Sequence, residues 1–99
     1  MKLQQLKYLH EIAKQKLNLS KAANALHTSQ PGISRQIQLL EQELGVEIFT
    51  RHGKRIIGIT QPGLAILQTA QRMLQDADNL KKIGNEFNDK ESGTFIIAT

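Results

Sequence analysis

The side chains best suited to chemistry in this sequence stand in one short polar run. Gln30, Ser34 and Gln38 recur at spacings of four, and Arg35 adds a guanidinium beside them. On a helix these side chains and Pro31 share an arc of about 140°. An amide can pair with both polar atoms of the adenine edge, a guanidinium with guanine or phosphate, and a hydroxyl with several bases. This face therefore predicts base reading in the major groove of DNA.

The opposite side of the same run is apolar, so the run can pack as one helix against a core. Its apolar positions follow spacings of four, three and four, at Ile33, Ile37, Leu40 and Leu44. Gln, Ser and Arg are also ordinary exposed residues of an amphipathic helix. Taken alone, this helix leaves a merely solvated face as an equal alternative.

Two groups of residues are expected to contact DNA. The first group would read bases from the helix itself and contains Ser29, Gln30, Pro31, Ser34, Arg35 and Gln38. The second group would hold phosphates at helix starts or reach the minor groove or adjacent backbone from a basic hairpin. Its members are Ser20, Lys21, Thr28, Arg51, Lys54 and Arg55. Phosphate contacts fix register, whereas base contacts carry specificity.

The charge of the chain is divided unevenly along its length. Residues 1–60 carry nine basic and four acidic side chains, whereas residues 61–99 carry four basic and five acidic ones. A basic half indicates a polyanion or an acidic surface as partner, although a solvated basic face is equally compatible with the charge.

Composition excludes several classes of protein. A chain of 99 residues has room for one small domain, and the absence of cysteine excludes disulfides and thiol chemistry. No apolar run approaches the roughly 20 residues that span a bilayer, and no signal segment follows Met1. We therefore expect a cytoplasmic protein without membrane contact.

Catalysis and metal binding find no support in the residue pattern. His10, His27 and His52 fall on three separate predicted elements, without the spacing of a metal site. No nucleophile signature and no glycine-rich phosphate loop occurs. We therefore expect no catalytic residues, no metal, no cofactor and no enzyme activity.

Three predicted helices position the polar run. Apolar spacings of three and four predict helix 1 over residues 2–15. Ser20 is expected to cap a short helix 2 over residues 21–26. Hydroxyl residues then precede helix 3, whose first turn suits Pro31 and whose end is expected at Gly45. The result is two short helices joined by a tight turn.

A small hairpin and one long helix are expected after helix 3. The β-prone runs 46–49 and 55–59 flank turn residues 51–54, which predicts a two-stranded wing. Thr60 and Pro62 then predict the start of helix 4, which continues from residue 61 to about residue 87. This helix would be about 40 Å long, more than the core of so small a domain requires.

The apolar positions of helix 4 repeat with a mean spacing of 3.5, which is typical of a coiled coil. They are Ile66, Ala70, Met73, Ala77, Leu80, Gly84 and Phe87. We expect this stripe, called the seam below, to pair with a second copy of the chain. The alternative is that the seam packs only on helix 1 of the same chain.

The sequence therefore divides into three parts. Residues 1–60 form a DNA-binding domain, residues 61–88 a dimerisation helix, and residues 89–99 a linker with a terminal strand. A strand at residues 94–99 has no partner within this chain. We therefore expect it to begin a further domain outside the chain.

The ordered motifs of this chain resemble the N-terminal domain of LysR-type transcriptional regulators. The resemblance rests on residues 20–37, residues 40–51 and the Thr60-Gln-Pro-Gly run, and it extends over residues 1–87. Within that family, residues 17–20 and 28–34 resemble the CysB and Cbl branch, which controls sulfur assimilation.

This resemblance implies a mainly α, winged helix-turn-helix fold followed by a linker helix that pairs antiparallel in a homodimer. It also implies that the positions of Gln30, Pro31, Ser34 and Arg35 line the major groove, and that the wing near Lys54 touches the minor groove. A small-molecule inducer would bind a C-terminal domain outside this chain, and full-length proteins could form tetramers. Two alternatives stay open: a nonspecific architectural DNA-binding protein and a coiled-coil interaction module.

Overall fold

The computed structural model describes residues 1–91. It contains four helices and one antiparallel hairpin, which confirms the mainly α, winged fold class. The elements are α1 (Leu3–Lys14), α2 (Leu19–Leu26), α3 (Gln30–Leu44), β1 (Phe49–His52), β2 (Arg55–Ile59) and α4 (Gln61–Glu91). Within these residues no helix is long and apolar enough to cross a membrane.

The ends of α3 form as the sequence predicts. The Ser29 hydroxyl oxygen accepts a hydrogen bond from the Gly32 backbone N–H at 3.1 Å, and Pro31 lies in the first turn. Gly45 ends the helix with φ of 75°, a left-handed conformation that glycine adopts without steric cost. Local residue chemistry is sufficient to set both boundaries of this helix.

The start of α2 differs from the prediction that Ser20 caps the helix. Asn18 is the cap, since its side-chain oxygen accepts a hydrogen bond from the Lys21 backbone N–H at 3.0 Å. The helix therefore begins at Leu19, and Ser20 lies inside its first turn. Asn and Ser cap helices about equally well, so residue type gave no reason to prefer Ser20 over Asn18.

The first strand of the wing also differs from the prediction. It begins at Phe49 rather than Val46, and its partner strand begins at Arg55 as expected. The Ile48 backbone pairs elsewhere: its N–H donates to the Glu41 carboxylate, and its carbonyl accepts from the Thr60 N–H. These bonds hold residue 48 against two neighbouring elements, so β-propensity alone placed the strand too early.

The wing itself is a short hairpin with one irregularity. Phe49 pairs with Ile59 and His52 with Arg55, while the register shifts between Thr50 and Arg51. Gly53 takes φ of 63° in the turn. This bulged ribbon leaves Ile57 exposed and directs the turn away from the core.

One apolar core joins the three short helices, the wing and the start of α4. Its fully buried large side chains are Leu9, Ile12, Ile33, Ile37, Leu40, Ile48 and Phe49. The apolar side of α3 is therefore buried against α1 and α2, which forces the polar side of the same helix outward.

Helix α4 starts as predicted and extends further than predicted. The Thr60 hydroxyl oxygen accepts a hydrogen bond from the Gly63 N–H at 2.9 Å, which caps the helix. The helix continues to Glu91, beyond the expected end near residue 87, because the polar residues after Phe87 include no proline or glycine before Gly93. The terminal strand expected at residues 94–99 lies outside the described residues.

Candidate nucleic-acid interface

The solvent-facing side of α3 presents most of the predicted base-reading group. Gln30, Pro31, Arg35 and Gln38 are exposed, and Ser34 is half-buried. The buried residues of the helix lie on its other side. The helix thus offers amide, hydroxyl and guanidinium groups on one outer surface, which is the donor and acceptor set that base edges require.

A cleft of about 620 Å³ lies between this surface of α3 and the wing. Residues from both predicted groups line it together: Gln30, Pro31, Ser34 and Gln38 from α3, with Arg51 and Lys54 from the hairpin. Residues far apart in sequence therefore share one concave surface. A helix beside a cationic hairpin can occupy a major groove and the neighbouring backbone at the same time.

A second cleft of about 610 Å³ adjoins the first one, and both contain Gln30 and Lys54. It joins the start of α2 to the wing. Its polar and cationic lining comes from Lys16, Asn18, Ser20, Gln30, His52, Lys54 and Arg55. Neither Lys54 nor Arg55 forms an ion pair with a described residue, so both charges are available to an anionic partner.

Arg51 has a different environment from the other basic residues of the wing. Its Nη2 atom donates to Glu41 Oε1 at 3.0 Å, and the two side chains are only 27% and 13% exposed. Glu41 Oε2 also accepts hydrogen bonds from the backbone N–H groups of Ile48 at 2.8 Å and Phe49 at 3.3 Å. The Glu41 carboxylate therefore ties α3 to the wing and balances the Arg51 charge.

Several predicted contact residues lie outside both clefts. Lys21 and Arg35 are exposed on α2 and α3, and Thr28 is half-buried in the turn between these helices. Ser29 caps α3, so its hydroxyl already has a backbone partner. Contacts from these residues to DNA would require the duplex to extend beyond the clefts, along the two helix starts.

The sequence analysis missed several residues that line the clefts, and it also missed Glu41, which ties α3 to the wing. Leu19 lines both clefts, whereas Lys16 and His52 line the one beside α2. Lys16 is a polar residue between two predicted helices and His52 lies in the predicted hairpin turn, so their residue types offered a weak signal. Glu41 had no such signal, because its partners are seven to ten residues away and belong to another element.

The seam of α4 divides between two environments. Ile66 and Ala70 pack against the core of the same chain, and Ala77 is half-buried. Met73, Leu80, Gly84 and Phe87 are exposed, and a further exposed apolar residue, Ile83, adjoins them. Within the described residues, no group of three or more His, Cys, Asp or Glu side chains is placed to hold a metal ion.

Three short helices, a two-stranded wing and an outward polar face on the third helix define a winged helix-turn-helix protein. A family model for the bacterial regulatory helix-turn-helix proteins of the lysR family matches residues 3–64. The chain belongs to the LysR family.

Curated relatives match the chain over nearly its whole length. The HTH-type transcriptional regulator SsuR of Burkholderia cenocepacia and the regulator cbl of Escherichia coli are each 50% identical over 99 residues. The regulator CysB of Burkholderia cenocepacia is 48% identical over 98 residues. The matches cover 100%, 100% and 99% of this chain, but only 32%, 31% and 31% of those relatives. The chain therefore spans about a third of their length.

Solved structures of LysR-family domains share the fold. The DNA-binding domain of CbnR in a DNA complex is 38% identical with a TM-score of 0.78, over 87% of this chain and 97% of that one. The BenM DNA-binding domain in complex with benA site 1 DNA is 31% identical with a TM-score of 0.80, over 88% and 96%. Both of those proteins were solved bound to DNA.

Proposed function

We propose that this chain is the sequence-specific DNA-binding part of a LysR-type transcriptional regulator. The observation that carries the proposal is the cleft in which Gln30, Ser34 and Gln38 of α3 face Lys54 of the wing. In this arrangement α3 enters the major groove and reads bases, while Lys54 and Arg55 bind the backbone or adjacent minor groove. The role is binding rather than catalysis, and no cofactor or metal takes part.

The test is fluorescence anisotropy with the purified chain, a promoter fragment of sulfur-assimilation genes and a scrambled duplex, at two salt concentrations. Specific binding predicts a preference of about 10³ or more for the promoter fragment. Equal, salt-sensitive binding to both duplexes would favour the architectural alternative, and no binding at low salt would favour the interaction module.

Variants separate base reading from phosphate binding in the same assay. Gln30→Ala and Arg35→Ala should each weaken operator binding by about 1–3 kcal/mol and relax base preference. Lys54→Ala should weaken binding to both duplexes alike and reduce the salt slope by about one. If the α3 variants lose the same affinity for operator and scrambled DNA, this result would contradict direct reading of bases by α3.

The partner of the exposed end of α4 is, in this proposal, the α4 helix of a second copy. Leu80, Ile83 and Phe87 are exposed by 70%, 52% and 58%. Burying three large apolar side chains on each chain favours association by several kcal/mol before the entropic cost of association. Sedimentation equilibrium should therefore give twice the 11.1 kDa mass of one chain.

The regulated genes are, in this proposal, those of sulfur assimilation and cysteine biosynthesis. The support is the CysB-like sequence around Ser20 and Thr28, together with about 50% identity to the regulators named SsuR, cbl and CysB. We further propose that an inducer binds a domain beyond this chain, in the cytoplasm. Footprinting on sulfur-assimilation promoters against unrelated promoters tests the gene assignment separately from DNA binding itself.

A further inference from the structure

The base-reading amide of α3 is held by a side chain of α2. Gln30 Nε2 donates a hydrogen bond to Ser20 Oγ at 2.7 Å. Among the described residues, this is the one side-chain hydrogen bond that joins α2 to α3. Both residues also line the cleft between the start of α2 and the wing.

This hydrogen bond is not needed to form either helix. Asn18 caps α2, and Ser29 caps α3. Ala22 and Ala23, which are buried, anchor α2 in the core. Ser20 and Gln30 are both exposed, where a neutral hydrogen bond competes with water and contributes little net stability. The structural role of the bond is therefore small, and its consequence lies in the orientation of the Gln30 side chain.

The hydrogen bond to Ser20 leaves the other polar atoms of the Gln30 amide available to read a base. A glutamine amide has one carbonyl oxygen and two N–H donors, so one N–H bonded to Ser20 leaves an acceptor and a second donor for adenine N6 and N7. A free glutamine side chain samples many rotamers, and fixing it before binding removes part of that entropic cost.

The Ser20 hydroxyl also retains a function of its own. A hydroxyl oxygen accepts hydrogen bonds through two lone pairs while its O–H still donates. Ser20 can therefore accept from Gln30 and donate to a backbone phosphate oxygen at the same time. Such a bridge would connect the contact that fixes register to the contact that reads a base.

We propose that Ser20 is a specificity-determining positioning residue, which orients the Gln30 amide for base reading and couples it to the phosphate backbone. This inference rests on the proposed function, in which α3 reads DNA. It assigns to Ser20 a role in discrimination between sequences, beyond the phosphate contact expected from its place near a helix start.

The experiment uses the full chain and a duplex selected by that chain from a randomised pool. Each base pair of the duplex is then replaced in turn, and binding is measured by anisotropy. Ser20→Ala should lower discrimination about two- to tenfold at the base pair where Gln30→Ala abolishes it. The salt slope should stay unchanged, because a hydroxyl releases no counterion. Ser20→Thr, which keeps the hydroxyl, should restore discrimination.

Lys21→Ala is the matched control on the same helix turn. It should reduce the salt slope by about one and leave discrimination unchanged. Thermal unfolding checks that Ser20→Ala stays folded, which is expected because Asn18 caps α2.

The double variant decides whether Ser20 acts through Gln30. In a Gln30→Ala background, Ser20→Ala should change discrimination no further. If Gln30→Ala loses discrimination but Ser20→Ala does not, this inference is overturned while base reading by α3 stands. If Gln30→Ala itself leaves every base preference intact, Gln30 does not read a base. The proposed role of Ser20, which depends on Gln30, is then wrong as well.

Discussion

The two halves of α4 carry similar apolar residues but end in opposite environments. In the first half, Ile66, Leu67 and Leu74 pack against the core formed by the short helices and the wing. In the second half, Leu80 and Phe87 are mostly exposed. Apolar periodicity therefore indicates which face of a helix favours burial. It does not indicate whether the same chain or another molecule covers that face.

The two apolar faces also point in different directions. At 100° per residue, Leu74 and Leu80 stand about 120° apart around the helix, and Ala77 lies between them. The seam begins on residues that the domain already buries and continues onto residues that it leaves exposed. One continuous stripe in the sequence thus lies in two environments, of which only the first is buried within this chain.

Gly63→Ala tests the first half of α4 and should have the largest effect. A Cβ at residue 63 would overlap the carbonyl oxygen of Ile48, and the Ile48 backbone cannot move without disturbing the core. We expect a loss of about 3 kcal/mol or more in the free energy of unfolding, measured by urea denaturation. Gly84→Ala is the matched control, because a Cβ there meets no other atom of the same chain within 4 Å. It should stabilise the helix by about 0.5–1 kcal/mol. Similar losses in both variants would contradict the comparison.

Leu80→Glu tests the second half of α4. Placing a charge in an apolar interface between two copies should raise the dimer dissociation constant about a hundredfold, or about 2.7 kcal/mol, while the domain stays folded. Sedimentation at several concentrations measures the first effect and circular dichroism the second. Gln75→Glu, an exposed change on another side of the helix, should leave the dimer intact. A Leu80→Glu chain that dimerises as tightly as the parent would exclude this face as the interface.

Glu41→Gln tests the contact between α3 and the wing. Glu41 accepts three hydrogen bonds, whereas Arg51 takes part in one of them. Loss of the charge should therefore cost about 2 kcal/mol of unfolding free energy, and Arg51→Leu should cost less. Chemical denaturation of the two variants checks the order. If Arg51→Leu proves the more damaging, the carboxylate does not serve mainly to hold the backbone of residues 48 and 49.

His27→Gly should have the smallest effect and the opposite sign. His27 ends α2 in a left-handed conformation with φ of 55°, which is costly for a residue with a Cβ. After the entropic cost of glycine is subtracted, we expect the free energy of unfolding to rise by about 0.5 kcal/mol. The melting temperature should rise with it. Asn24→Gly, inside the same helix, should instead lower the melting temperature, because glycine is unfavourable in the interior of a helix. Two falls in melting temperature would show that the left-handed residue carries no strain.

Local chemistry explains most of what could be predicted from this sequence. The caps Ser29 and Thr60 and the terminator Gly45 act on neighbouring backbone atoms, so their residue types and positions were enough. The polar side of α3 followed from the apolar side by geometry alone. The cap of α2 was predicted at Ser20 and lies at Asn18, because residue type favours both about equally.

Contacts between elements were decided only by the tertiary structure. The Glu41–Arg51 ion pair and the Ser20–Gln30 hydrogen bond each join residues ten positions apart on different elements, so they depend on how those elements pack. The division of the seam between the core and the exposed end of α4 has the same origin. The sequence by itself determined which faces are apolar, polar or charged, because side-chain direction follows from helix and strand geometry. The packing of the short helices and the wing decided which of those faces meet within one chain.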